Sequence, residues 1–330
     1  MDAARFPDYP FTPRRFEVRP GIAMSYLDEG PVSDNGRDAE VIVMLHGNPS
    51  WSFYWRHLVL GLRDRYRCIV PDHIGMGLSD KPDDAASASA TDLHGRTSVA
   101  GGRKPEATYD YTLQSRIDDL DALLKHLGID GPVTLAVHDW GGMIGFGWAL
   151  RDLARVRRLV ITNTSSFPLP TSKRLPKRIA MGRHSRFGGW LIRRFNLFAR
   201  GAAWMGTTRS LPRDVRSAYV GVYDGWTNAI STLRFMQDIP LDEGDRAWPL
   251  VEAAARQLPS YADRPAFIAW GLRDFVFDRH FLDGFIKALP NAEVHPFADA
   301  NHYVLEDKHD VLVPMIREFL DRHPLDTNPP

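Results

Sequence analysis

The sequence predicts an α/β fold built on a mostly parallel sheet. Three observations carry that expectation. Short continuous apolar runs recur along the chain, the pattern of strands buried on both faces. Segments with apolar residues spaced for a single helix face lie between them. Of 330 residues 44% are hydrophobic and 25% charged, ordinary globular proportions, and a chain of this length buries roughly three quarters of its unfolded surface, enough for one large core plus an insertion.

Taken in order, RFEVRPGIAMSYLDEG (15–30) reads as two strands around a Pro20-Gly21 turn. VIVMLHG (41–47), YRCIVPD (66–72), VTLAVHD (133–139), RRLVITN (157–163), PAFIAWG (265–271) and AEVHPFA (292–298) read as buried strands. In 113–127 the residues Leu113, Ile117, Leu120, Leu123, Leu124 and Leu127 mark one face of a helix. Two segments interrupt the alternation. DDAASASATDLHGRTSVAGGRKPEATYD (83–110) has no period and reads as a mobile surface loop, with a gate as its functional alternative.

From about Phe167 to Ala247 strand signals stop and aromatic-rich, helix-like stretches take over. This predicts a helical cap (167–247) between two parts of a core (1–166 and 248–330), lying over the C-terminal edge of the sheet, where open α/β sheets bind ligands. Among Trp190, Phe195, Phe198, Trp204, Tyr219, Tyr223, Trp226 and Phe235, most are expected in the cap's own interior and the remainder on an apolar pocket. Residues 165–213 hold eleven Lys and Arg and no Asp or Glu. That run reads either as a solvated basic face or as a docking surface for an acidic partner, an anionic lipid or a cofactor head group.

Whole-chain chemistry narrows the function. With 41 basic and 41 acidic side chains the net charge is zero, unlike a dedicated nucleic-acid binder. A single Cys68 forms no internal disulfide and belongs to no metal-ligating cluster. No secretory h-region opens the chain and no uncharged apolar run is long enough to span a bilayer. The expectation is a cytoplasmic protein without transmembrane segment, cofactor or metal.

The chemistry-bearing residues sit at strand ends. Leu135-Ala136-Val137-His138-Asp139-Trp140-Gly141-Gly142 has the layout of a nucleophile elbow, with a helix expected from near Met143. Asp139 stands at the nucleophile position. A desolvated carboxylate aimed at an electrophilic carbon forms a covalent ester; the structural alternative is a turn aspartate capping the next helix. Leu45-His46-Gly47-Asn48-Pro49 follows another buried strand. The Asn48 amide and the Trp140 indole are neutral donors able to hold a leaving anion. Asp274 follows the penultimate strand and His302 the last. The chain order nucleophile, acid, base is that of hydrolases with this layout: His302 as base, Asp274 fixing its tautomer. Asp278 and Asp299 are the acids most easily confused with Asp274, and Thr162-Asn163-Thr164 offers no carboxylate.

HGNPSWSFYWR (46–56), PDHIGMGLSDKP (71–82), YTLQSRIDDLDALLKHLGI (111–129), VHDWGGMIG (137–145) and ANHYVLED (300–307) resemble the haloalkane dehalogenase group of the α/β-hydrolase superfamily. The resemblance implies an eight-stranded, mostly parallel sheet with a helical cap. It implies that Asp139 is the nucleophile, His302 the base and Asp274 its partner, with Asn48 and Trp140 receiving the leaving group. Asn48 separates the chain from epoxide hydrolases, which share an HDWGG elbow but usually carry Phe after His-Gly; their paired cap tyrosines are not evident in this sequence, Tyr219 and Tyr223 being the candidates. FTPRRFEVRPGIAMSY (11–26), RFNLFARGAAW (194–204), TLRFMQDIPL (232–241) and WGLRDFVFDRHFL (270–282) are similar to the β-lactone decarboxylases of bacterial long-chain olefin biosynthesis. That likeness implies conversion of a cis-3,4-dialkyl-β-lactone to a cis-alkene and CO₂, a hydrophobic small-molecule substrate, and association with the pathway's β-lactone synthetase, thiolase-like enzyme and reductase. The alternatives are a haloalkane dehalogenase and a non-catalytic assembly subunit.

Overall fold

A computed structural model describes residues 6–34, 37–84 and 108–325. Eight strands form one sheet: β1 (Arg14–Arg19), β2 (Ile22–Glu29), β3 (Val41–Leu45), β4 (Arg67–Pro71), β5 (Val133–Asp139), β6 (Val156–Thr164), β7 (Ala266–Gly271) and β8 (Glu293–Phe297). Their order is β1-β2-β4-β3-β5-β6-β7-β8. β1 and β2 pair antiparallel around Gly21, whose φ of 75° suits a residue without Cβ. β2 pairs antiparallel with β4, and every pairing from β4 to β8 is parallel. β5 is buried along its whole length, as a central strand covered on both faces requires.

The helices of the described residues are α1 (Arg56–Leu62), α2 (Leu113–His126), α3 (Trp140–Ala149), α4 (Lys177–His184), α5 (Arg186–Phe195), α6 (Leu197–Met205), α7 (Arg213–Gly221), α8 (Ile230–Gln237), α9 (Trp248–Gln257), α10 (Arg279–Ala288) and α11 (Val304–Arg322). α2 starts where Thr112 accepts the N–H of Ser115, an N-cap. None of the described helices is long and apolar enough to cross a membrane. Asp83–Asp84 and Thr108–Tyr109 pair as a short parallel ladder; residues 85–107 of the loop expected at 83–110 lie outside the described residues.

α4 to α8 follow one another between β6 and β7. A buried ion pair ties them to the core: Arg56 of α1 meets Glu306 of α11 through two hydrogen bonds of 2.5 and 2.9 Å, and the Tyr219 hydroxyl of α7 donates to the same carboxylate at 2.5 Å. The Tyr223 hydroxyl donates to the Ser50 carbonyl at 3.1 Å. Both tyrosines are therefore structural ties, and neither lines the cavity over the sheet.

The aromatics of 167–247 depart from expectation. Tyr219, Tyr223 and Phe235 are interior, but Trp190, Phe195, Trp204 and Trp226 are exposed, Trp204 to 75%. Of the eight, Phe198 lines the cavity. The basic run is also less free than its composition implies. Arg183 pairs with Asp245, Lys173 with Asp278, and Arg193 lies over the Trp226 ring.

Candidate active site

β5 ends at Asp139 and α3 starts at Trp140, three residues earlier than the sequence indicates. This direct reversal puts Asp139 at φ 51° and ψ −124°, a conformation that costs a residue with a Cβ of order 1–3 kcal/mol. Close packing holds it. A Cβ on Gly141 would collide with the Leu45 carbonyl, and one on Gly142 with the Thr164 hydroxyl. That hydroxyl donates to the Asp139 carbonyl oxygen and accepts the Gly142 N–H at 3.1 Å. The Asp139 side chain makes no N-cap bond into the first turn of α3, meeting only the N–H of the adjoining Trp140, so the capping alternative fails.

Its carboxylate is instead held from across the sheet. Oδ1 accepts the backbone N–H of Asn48 at 2.6 Å. Gly47 makes this approach possible, because a Cβ there would overlap the Asp139 side chain and the Trp140 nitrogen. His46 and His73 fix the loop: His73 donates its backbone N–H to His46 Nε2 at 3.2 Å and its ring Nε2–H to the His46 carbonyl at 3.1 Å. Oδ2 of Asp139 lies 3.5 Å from His302 Nε2, and His302 Nδ1 lies 2.8 Å from Asp274 Oδ2. An ionised carboxylate only accepts, so Nδ1 carries a proton. Asp274 is fixed in turn by Asn163 Nδ2 at 3.0 Å and by the Val276 N–H at 2.7 Å.

All three groups are buried. Burial raises the Asp139 pKa above its ordinary 3.8, against the opposing pull of His302 and the Asn48 and Trp140 N–H groups. For His302, burial would lower the pKa, but the charge and hydrogen bond of Asp274, with Asp139 behind them, hold it above 6.5. The nucleophile candidate is thus a buried carboxylate faced by an imidazole whose charged form is favoured by Asp274 and by Asp139 itself.

Asn48 and Trp140 line the same cavity as Asp139 and His302. Asn48 Nδ2 donates to the Thr232 carbonyl of α8 at 3.0 Å. That carbonyl only accepts, which fixes the amide's orientation and leaves its second N–H. Trp140 packs edge-on against Phe235 at 5.2 Å, and its indole N–H has no protein acceptor among the described residues. The cavity is about 420 Å³ and otherwise almost wholly apolar, with Met143, Phe167, Ile179, Phe198 and Phe281 among its walls.

The competing acids lie elsewhere. Asp278 caps α10 and pairs with Lys173, and Asp299 is exposed on Lys308. Sequence reasoning missed three residues and one backbone group. Asn163 sits at the strand end noted for lacking a carboxylate and orients Asp274 instead. Thr164 clamps the elbow. Phe277 stacks on His302 with centroids 5.8 Å apart. The fourth contribution is the Asn48 backbone N–H, legible only as the residue following the loop glycine.

Comparison with known proteins agrees with this fold. The family model for the α/β hydrolase fold matches residues 40–309. A cis-3-alkyl-4-alkyloxetan-2-one decarboxylase of Xanthomonas campestris pv. campestris is 66% identical over 320 residues, 97% of this chain and 99% of the relative. One of the same name from Shewanella oneidensis is 47% identical, covering 93% of this chain and 88% of the relative. A haloalkane dehalogenase of Mycolicibacterium paratuberculosis is 31% identical, covering 91% and 90%. With its strained elbow, its sheet order and these matches, the chain belongs to the α/β-hydrolase fold family, in the haloalkane dehalogenase-like group.

Proposed function

We infer that this protein is a β-lactone decarboxylase that converts a cis-3-alkyl-4-alkyl-oxetan-2-one to a cis-alkene and CO₂. The observation that carries the reading is the 66% identity, over 97% of the chain, to a protein named for that substrate. The apolar cavity around Asp139 supports it, since two alkyl chains need apolar walls and few polar groups.

Asp139, His302 and Asp274 are the proposed catalytic residues, with Asn48 and Trp140 as anion donors. Asn48 N–H pins Oδ1, so Oδ2 attacks the ring carbon bearing oxygen. The C–O bond breaks with inversion, and the freed ring carboxylate is received by the Asn48 amide and the Trp140 indole. The C–C bond to that carboxylate then cleaves. Its electrons form the alkene, CO₂ leaves, and Oδ2 departs with its electron pair, restoring Asp139. Inversion followed by anti elimination is net syn, so a cis lactone gives a cis alkene. No water or proton is consumed. Attack at the lactone carbonyl would instead require expulsion of a poor β-alkoxide. His302 has no water to activate here; its charged form, favoured by Asp274, would balance the carboxylate that is present before, during and after the cycle.

The second reading is a haloalkane dehalogenase, because a halide suits the same two donors. There His302 would activate water against the alkyl-enzyme ester. Incubation with a cis-dialkyl β-lactone and, separately, with 1-bromobutane separates the two. Alkene with equimolar CO₂ and negligible bromide is expected. Rapid bromide and alcohol release without alkene would overturn the lyase reading.

We propose the division 1–166, 167–247 and 248–330 as core, cap and core. It is supported by α9, which starts at Trp248 and packs on α3 beneath the sheet's elbow rather than on α4 to α8. We also propose association with the pathway's β-lactone synthetase, thiolase-like enzyme and reductase, since a water-insoluble intermediate favours short transfers. Co-expression should yield one high-mass species on size exclusion; separate elution of every component would refute the association.

A further inference from the structure

The outward face of α4 to α6 is apolar, aromatic and cationic at once. Phe187 is 64% exposed and stacks on Trp190 at 6.0 Å, which meets Phe195 edge-on at 5.5 Å. On α6, Leu197, Arg200 and Trp204 follow at i, i+3 and i+7 and so share one face. On α5, Phe187, Trp190 and Arg194 repeat that spacing. Exposed large aromatics at this density need an explanation, because a soluble surface scatters them singly. The cations among them, including Arg186, Arg194 and Arg200, are exposed and have no ion-pair partner among the described residues.

The same face borders the active-site cavity. Met181 and Leu197 line the cavity and are also 42% and 44% exposed. Beside them an open depression lined by Pro176, Lys177, Arg178, Met205 and Phe275 shares all but Lys177 with the cavity wall.

We propose that this face docks on an anionic lipid surface, setting the cavity mouth against the apolar layer. Three features select that occupant. Tryptophan rings interleaved with arginines match the headgroup boundary, where an apolar body and a polar edge are both satisfied. Residues 165–213 carry cations without a single acid, so the attraction is to negative charge. A second copy meeting this patch across a two-fold axis would set like charges against each other. Docking itself is independent of the reaction; only the passage of a dialkyl β-lactone and its alkene through the mouth rests on the decarboxylase reading.

The test is flotation of the whole chain with vesicles of phosphatidylcholine alone or with about one-third phosphatidylglycerol. Partition to the anionic vesicles should be at least about tenfold stronger and should fall as salt is added. The variant Phe187→Ser/Trp190→Ser/Trp204→Ser should lose about tenfold or more of that partition with an unchanged circular dichroism spectrum and melting temperature. A second variant, Arg186→Glu/Arg194→Glu/Arg200→Glu, should lose the preference for anionic vesicles. Equal partition to both vesicles, no partition, or partition undiminished in both variants would overturn the proposal. So would lipid-free self-association abolished by the serine variant, or binding to an acidic polypeptide without binding to vesicles. Because flotation involves no turnover, its failure is distinguishable from failure of the lyase reading.

Discussion

Asp139→Asn is expected to lower alkene formation by about four orders of magnitude or more in kcat/KM, the scale seen when a covalent nucleophile is removed. The amide keeps an acceptor for the Asn48 N–H, so the elbow's fold is retained, but it forms no ester. The same change should raise the melting temperature. Burial is the largest influence on Asp139 and raises its pKa, which means that ionisation of this group opposes folding. For a group whose folded pKa is raised, the stability present below the unfolded value, near 3.8, is lost as pH rises through the folded one. The wild-type protein carries that loss at neutral pH and the variant does not. The stability gap should therefore be widest near neutrality and close as the solution is acidified. Activity of the wild type should fall as pH drops through a midpoint above 3.8. Paired melting curves and pH–rate profiles read both effects, with intact mass confirming that the introduced amide persists. A variant that retains alkene formation would remove the covalent mechanism.

Glu306→Ala should be the most damaging substitution outside the reacting groups. Arg56 and Glu306 are only 2% and 5% exposed at their side chains, and deleting one partner of a buried pair leaves the other charge uncompensated, a cost of about 3–5 kcal/mol. Tyr219 loses its acceptor at the same stroke. Burial acts to raise the Glu306 pKa, but the hydrogen bonds and charge of Arg56 outweigh it and hold the group below its usual 4.5. A depressed carboxylate contributes stability above its unfolded pKa that is lost as pH falls through the folded value, so the variant's deficit should shrink in acid. Asp64→Ala is the control. Its pair with Arg317 is 61% and 35% exposed, and solvent screening makes little change the expected outcome. Chemical denaturation of the three proteins decides: equal losses for Glu306→Ala and Asp64→Ala would contradict the account. Because Tyr219 belongs to α7, the Glu306 variant should also loosen the helices over the cavity and raise KM more than it lowers kcat.

The sheet was the most legible part of the chain. A buried parallel strand leaves a continuous apolar run, and the run at 133–139 coincides with β5 from Val133 to Asp139. The positions of Asp139, Asp274 and His302 were legible for a related reason, since each stands at the end of a strand run or within a few residues past it. What escaped was direction. Trp190 and Trp204 read as interior because aromatic content counts side chains without saying which way a short helix faces. Arg183 and Lys173 read as free charge because Asp245 and Asp278 lie far along the chain. The backbone role of Asn48 escaped because a side-chain inventory does not include the N–H that every residue but proline carries.

One bond joins what the chain keeps far apart. Asn48 and Thr232 are 184 residues distant in sequence, yet the carbonyl on α8 sets the angle of the amide beside the nucleophile. Lifting α8 would release that amide to rotate. The amide is therefore aimed only while the roof over it is seated.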